Sequence, residues 1–249
     1  MRPDPHVLVV GGVDSSGGAG VTRDVETIAS LGLRACVAVT AVTVQTHAWF
    51  GRIAPVAPGL VAEQMRAALD GNAVRAVKIG MLGTRTAVDE VVSVLRDVAH
   101  VPAVLDPVLA ASSGPPLLAE DAIGRLAAEL MPLCRLVTPN LSELAALTGS
   151  QPASDEGAAR QQGEALSRLT RTAVLVKGGH ASGIEAADLL VEPNHPPRRL
   201  CSLRLAGTLR GTGCMLASAI AVHLARGMPL EASVRKAKDY VFARLARSM

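Results

Sequence analysis

The chain has 249 residues, 49% of them hydrophobic and 19% charged, with a formal net charge of +3. Such apolar content with so little net charge excludes disorder, and no apolar run nears the roughly 18 residues of a membrane span. One tryptophan, one tyrosine and two phenylalanines (Trp49, Phe50, Tyr240, Phe242) leave little for the stacking platforms of a nucleic-acid reader, so the core must be built from Ala, Val and Leu.

In chain order, a short apolar strand is predicted at 6–10, followed at once by glycines rather than a secretory pattern. A Gly/Ser loop at 11–20 leads into a helix at 20–30. Strands follow at 34–40, 75–79, 103–105, 136–138 and 172–177, several apolar almost throughout, as strands buried on both faces are. Helical patterns lie between them at 59–69, 85–98, 120–130, 142–147 and 156–169. Residues 188–205 read as strand, Pro-rich loop (Pro193, Pro196, Pro197) and strand, expected at a sheet edge where proline is tolerated. Helices at 212–225 and 230–247 close the chain. This alternation predicts one α/β domain over residues 1–249, a mainly parallel central sheet with helices on both faces. The cysteines Cys36, Cys134, Cys201 and Cys214 form no C-x-x-C pair and are expected to be reduced thiols of a cytoplasmic protein.

Ligands in such sheets gather beyond the carboxyl ends of the strands, and the informative residues follow strands. The glycine loop can hold an anion or bring main chain close to a small ligand, or be an empty tight turn. Asp24, one turn into the next helix, is equally suited to a favourable first-turn charge. Gly211-Thr212-Gly213-Cys214 precedes an apolar helix, so several N–H groups converge where charge develops on a transferring phosphoryl group. Cys214 there is expected in a positive potential that lowers its pKa, the alternative being an ordinary buried cysteine. Asn140 and Glu143 have the spacing of a capping box and also the oxygen chemistry of a Mg²⁺ site. Asp106, ending an apolar strand, is a stronger acidic candidate, because buried strand ends rarely hold an unpaired carboxylate. Lys177, before Gly178-Gly179-His180, either reaches nucleotide phosphates or snorkels from a sheet end. His6, His47, His100, His195 and His223 lack metal-ligand spacing. Arg235, Lys236, Lys238, Arg244 and Arg247 read as a solvated helix face.

The order of these motifs is more specific than any one of them. Gly12-Val13-Asp14-Ser15-Ser16-Gly17-Gly18-Ala19-Gly20, Gln45, Lys78-Ile79-Gly80-Met81-Leu82 and Leu105-Asp106-Pro107-Val108 come first. Thr138-Pro139-Asn140-Leu141-Ser142-Glu143, Lys177-Gly178-Gly179-His180 and Gly211-Thr212-Gly213-Cys214 follow. Together they closely resemble the hydroxymethylpyrimidine/phosphomethylpyrimidine kinases of thiamine biosynthesis, within the ribokinase superfamily. The resemblance runs from about His6 to the last helix. It implies a ribokinase-like α/β fold, ATP and Mg²⁺ as cofactors, and phosphorylation of 4-amino-5-hydroxymethyl-2-methylpyrimidine and then of its monophosphate. It places Gly12, Asp24, Gln45, Met81 and Val108 around the pyrimidine. The donor and acceptor of Gln45 suit an aminopyrimidine edge, and Met81 offers a soft apolar surface. Asp106, Asn140, Lys177, Thr212 and Gly213 fall on the nucleotide side, with Asp106, Asn140 and Glu143 at the metal. Gly211, Thr212, Gly213, Cys214 and Lys177 form the catalytic set, Cys214 standing where many relatives place an aspartate base. A homodimer is implied, with neither nucleic-acid nor membrane partners.

Several positions depart from the family pattern. Ser15 replaces a common proline, and Thr46-His47 follow Gln45 in place of Asn-Thr, beside the unusual Trp49-Phe50 pair expected at the pocket rim. Arg210 stands where a histidine is common. The sequence reaches Met249 without the family's usual Gly-His-Gly-containing tail, and the second phosphorylation is the step expected to feel this. Pyridoxal kinase of the same superfamily is the alternative activity, with a thiol able to add reversibly to an aldehyde. A non-catalytic pyrimidine- or nucleotide-binding relative is the alternative of another class.

Overall fold

The computed structural model describes residues 4–46, 49–110, 116–178, 184–207 and 209–248. The chain runs β1 (His6–Asp14), α1 (Gly20–Ser30), β2 (Arg34–Gln45), β3 (Phe50–Pro55), α2 (Leu60–Gly71), β4 (Val74–Ile79) and α3 (Arg85–Asp97). It continues with β5 (Ala103–Leu105), α4 (Glu120–Arg125), β6 (Leu136–Val137), α5 (Leu141–Thr148) and α6 (Glu156–Thr170). Then come β7 (Ala173–Lys177), β8 (Glu185–Val191), β9 (Arg198–Leu203), α7 (Thr212–Ala225) and α8 (Leu230–Ala246).

The strands pair into one nine-stranded sheet in the order β3-β2-β1-β4-β5-β6-β7-β8-β9. From β2 to β7 all neighbours are parallel, and β3, β8 and β9 add antiparallel margins. Parallel neighbours need crossovers, and the crossover helices cover both faces. Strand periodicity divides the interior accordingly. Leu8, Val10, Val77, Ile79 and Leu105 pack with Val61 and Met65 of α2 and Val88 and Leu95 of α3. Val7, Val9, Ala76 and Val104 face the other way, onto Ile28 of α1, Ala217 and Ile220 of α7 and Val234 of α8. Small residues on α7 suit the aromatic-poor composition: Ala217, Ser218, Ala219 and Ala221 are all buried.

The structure corrects the predicted boundaries in places. Gly11 to Asp14 are not loop but strand: Gly11 pairs with Val39, Val13 with Val42 and Asp14 with Thr43, after a register shift. Glycine and aspartate are poor strand formers, and tertiary pairing overrides that preference here. β2 extends to Gln45 and returns through β3, which the sequence reading missed. β3 reads Phe-Gly-Arg-Ile-Ala-Pro, too polar and too broken by Gly51 and Pro55 to show strand alternation. The predicted helix at 120–130 is α-helical only to Arg125 and then winds as a π-helical turn over Leu126–Leu130. The segment at 188–205 does form the margin, as β8 and β9.

Candidate active site

Strand order reverses at β1, with β2 on one side and β4 on the other, and ligand crevices form at such reversals. Backbone hydrogen bonds lace the carboxyl ends into one floor. Gly80 N donates to Val10 O (2.8 Å), Asp106 N to Ile79 O (2.8 Å), Thr138 N to Leu105 O (2.9 Å) and Lys177 N to Pro139 O (2.9 Å). Residues far apart in sequence are therefore held side by side on adjacent strand ends.

The β2–β1–β4 side carries Gly12, Gln45, Met81 and Val108. A Cβ on Gly12 would lie 2.9 Å from Met81 Sδ, so only glycine lets the thioether settle there. Thr40 Oγ1 donates to Met81 O at 2.7 Å and fixes the turn. Met81 clusters with Ala41 and Leu117, against Val108, Phe50 and Ile53. Of the expected aromatic rim, Phe50 therefore joins the apolar wall, whereas Trp49 is 58% exposed and its indole covers Gly51. Gln45 is bound to the glycine loop through its main chain. Its N donates to Ser15 Oγ at 2.9 Å, and Ser15 Oγ donates to its O at 2.8 Å.

The β5–β6–β7 side carries the charges. Lys177 Nζ lies 2.7 Å from Asp106 Oδ1 and 3.8 Å from Glu143 Oε2. The predicted capping box is present: Glu143 N donates to Asn140 Oδ1 and Asn140 N donates to Glu143 Oε2, each at 2.8 Å. Burial alone would raise the Asp106 pKa, but Lys177 and Lys78 outweigh it and hold the carboxyl below its ordinary range. Glu143 has weaker compensation, and burial with the Asp106 charge pushes it up to about 7. Two carboxylates thus share the Lys177 ammonium, one of them underpaired. Such an oxygen-rich, electron-surplus corner fits a hard divalent cation completed by phosphate and water oxygens. Among the described residues, no group of three or more His, Cys, Asp or Glu forms a self-sufficient metal cage. Asn140 Oδ1 is engaged by the cap, so its contribution there is to fix Glu143.

Gly211, at φ 78°, opens α7. A Cβ there would meet Gly18 O at 2.5 Å, so the two glycine loops touch backbone to backbone. The N–H groups of Thr212, Gly213 and Cys214 have no intrahelical acceptor and sit at the positive end of the helix dipole. Gly213 lies directly beside the charges: a Cβ on it would be 3.3 Å from Lys177 Nζ and 3.6 Å from Asp106 Oδ2.

Two expectations change. Asp24 is not brought to the pocket surface. It is 0% exposed, its Oδ2 bonds Lys78 Nζ at 2.8 Å, and its Oδ1 accepts from Ser218 Oγ at 2.8 Å. Nor does Cys214 have a lowered pKa. Burial dominates over the Lys78 charge and the hydrogen bond from the Gly20 backbone, pushing the thiol up to about 11. His47, Gly179 and His180 lie outside the described residues.

Lys78 and Asp14, present in the motifs, were given no role from the sequence. Lys78 is 1% exposed beneath the floor, and Asp24 holds it in its charged form against the cost of burial. A lysine between Val77 and Ile79 in an apolar strand was the available signal, since a buried charge requires a partner. Asp14, buried at the end of β1, accepts from Ser16 N at 2.8 Å and Ser16 Oγ at 2.7 Å.

Solved structures share this fold. A phosphomethylpyrimidine kinase from Clostridium difficile 630 superposes with a TM-score of 0.83 and 31% identity, covering 97% of this chain and 99% of that one. Pyridoxal kinase from Staphylococcus aureus, solved with AMP-PCP and pyridoxal, superposes with a TM-score of 0.87 and 25% identity, covering 97% and 87%. Fold and site together thus define a ribokinase-like phosphotransferase. Residues 14–249 match the family model described as phosphomethylpyrimidine kinase. A hydroxymethylpyrimidine/phosphomethylpyrimidine kinase from Rhizobium meliloti (strain 1021) is 40% identical over 239 residues, 96% of this chain and 90% of that protein. The chain belongs to the phosphomethylpyrimidine kinase family.

Proposed function

We propose that this chain transfers the γ-phosphoryl group of ATP to the hydroxymethyl oxygen of 4-amino-5-hydroxymethyl-2-methylpyrimidine, and then phosphorylates the monophosphate, as a step of thiamine diphosphate biosynthesis. The observation that carries this reading is the adjacency of two unlike surfaces on one row of strand ends. Met81 and Val108 form an apolar patch with Gly12 tight against the Met81 thioether, and Gln45 at the end of β2 adds one amide. Lys177, Asp106, Glu143 and the 211–214 loop make a charged, phosphate-directed site.

Phosphoryl transfer needs positioning and charge stabilisation more than covalent chemistry from the protein. Gly12, Met81 and Val108 shape the ring site, and Gln45 hydrogen-bonds its edge. The N–H groups of Thr212, Gly213 and Cys214, with Lys177, face the charge that spreads over the transferring group. Asp106 holds Lys177 in place, and Asn140 holds Glu143. With a pKa near 11, Cys214 acts as a neutral hydrogen-bonding group toward the substrate hydroxyl, not as a preformed thiolate. Asp106 and Glu143 would hold a Mg²⁺, which when bound would further neutralise the nucleotide phosphates. Asp24 acts from below, by holding the Lys78 charge under the floor.

ADP release, measured with the pyrimidine alcohol, its monophosphate and pyridoxal, tests this. Turnover of both pyrimidines above pyridoxal is expected. A preference for pyridoxal would support the second reading, which the likeness to pyridoxal kinase favours. Binding of all three without ADP release would identify a non-catalytic binder. The continuous sheet supports treating residues 1–249 as one kinase domain. The four free cysteines, and the lack among described residues of any helix able to cross a membrane, are consistent with a cytoplasmic protein. A homodimer is proposed as well, supported by the exposed Val42, Val44 and Trp49 around β2 and β3. Sedimentation at assay concentration would contradict it by returning the mass of one chain.

A further inference from the structure

Arg210 joins three segments: the loop that opens α7, the glycine loop and the end of β2. It precedes Gly211, which opens the phosphoryl-directed loop, yet its guanidinium reaches the pyrimidine side. Nη2 donates to Gln45 Oε1 at 2.8 Å, and Nη1 donates to Ser16 Oγ and Thr46 O, each at 3.0 Å. Asp14 Oδ2, buried and without a hydrogen-bond partner among the described residues, faces the same Nη2 at 3.5 Å and keeps the cation in place by charge.

This arrangement constrains Gln45. A carboxamide can present either its oxygen or its NH₂ in a given direction, whereas a guanidinium is a donor only. While Arg210 holds Oε1, the amide cannot flip, and Nε2, which has no hydrogen-bond partner among the described residues, is the group left for a ligand. We propose that Arg210 is a specificity-determining positioning residue: it orients Gln45 so that the pocket offers an N–H donor to a ring nitrogen of the bound heterocycle. This rests on Gln45 being a pyrimidine contact, as argued above.

The test is a double-mutant cycle on the full chain, using R210A, Q45A and the double variant, with R210K as the conservative control. Steady-state kinetics are measured on the pyrimidine alcohol and on its carbocyclic analogue, in which both ring nitrogens are CH. R210A is expected to raise KM for the pyrimidine by about tenfold or more, the size of one charge-assisted hydrogen bond, while KM for ATP changes by less than about threefold. In the Q45A background the Arg210 substitution should add little, because both act through one contact. R210A should also narrow the preference for the pyrimidine over the carbocycle, and R210K should restore part of it. Fully additive effects, an unchanged preference, or a rise confined to KM for ATP would each overturn the proposal. Wild-type protein that does not turn over the pyrimidine overturns the parent reading and this one together; normal wild-type turnover with unaltered R210A kinetics overturns this one alone. Thermal melts of each variant separate lost folding from lost positioning, and R210K carries the comparison if R210A does not fold.

Discussion

Cys214 and Gly213 are neighbours with different assignments. The helix dipole and Lys78 favour a thiolate at Cys214, but burial opposes it more strongly, and the thiol is neutral at pH 7. Removing it should therefore cost a hydrogen bond, about tenfold in kcat. A methyl on Gly213 instead crowds the Lys177 ammonium at 3.3 Å and fills the space beside Asp106 where the N–H groups face the transferred phosphoryl group. Gly213→Ala should lose on the order of a hundredfold or more, as loss of an oxyanion-type donor does. Turnover that vanishes in Cys214→Ala but persists in Gly213→Ala would reverse the assignment. Glu143 gives a pH prediction of definite sign. Its pKa rises from 4.5 in the unfolded chain to about 7 in the fold. Its contribution to stability is thus complete below pH 4.5 and is lost as pH climbs through 7. The loss is about 3 kcal/mol at most. Glu143→Gln keeps the cap acceptor for Asn140 N and removes the titration, so denaturant midpoints of the nucleotide-free variant should vary less between pH 4.5 and 8. Adding Mg²⁺ with ADP at pH 8 should stabilise the wild type more than the variant. Parallel pH profiles for the two proteins would refute the underpaired carboxylate.

Elements buried on both faces were legible, because parallel strands such as β1, β4 and β7 show as apolar runs whatever their neighbours. The capping box at α5 was equally legible, being a contact between residues three apart. What was hidden depended on distant partners. The residues from Gly11 to Asp14 look like loop until Val39, Val42 and Thr43 of β2 pair with them. β3 exists because β2 overruns the sheet and needs a partner, not because Phe50–Pro55 favours extended structure. Asp24 looks available on a helix near the glycine loop, but α7 supplies Ser218 and β4 supplies Lys78 to close over it. The candidate site could be listed from the sequence because many of its residues stand at or just beyond the carboxyl end of a strand. Its electrostatics were not, because the Cys214 and Glu143 values depend on burial that no local pattern encodes.

At the scale of the whole molecule, the last helix proves part of the site's support. The charged face expected on α8 is only partly solvated. Lys238 is buried, with Nζ 2.6 Å from Asp188 Oδ2, while Asp188 Oδ1 accepts from Gly178 N at 2.9 Å. Asp188 also lies in register with Lys177 across β7 and β8. One carboxylate therefore ties the backbone just beyond the phosphate-directed lysine to the far end of the chain. Tyr240 and Arg244 anchor the same helix to α1 through Ser30 and Glu26. Breaking a buried pair from one side strands the other charge, and Lys238→Met should destabilise the fold by about 3–5 kcal/mol. The double variant Lys238→Met, Asp188→Asn retains an acceptor for Gly178 N and carries no stranded charge, so it should recover most of that loss. Because the Gly178 backbone next to Lys177 hangs on Asp188, the single variant should also raise KM for ATP, with KM for the pyrimidine nearly unchanged. Urea denaturation at constant m, together with both KM values, measures each effect. A single variant as stable as the wild type would show that α8 merely covers the sheet, and a double variant no better than the single would show that Lys238 acts through packing and not charge.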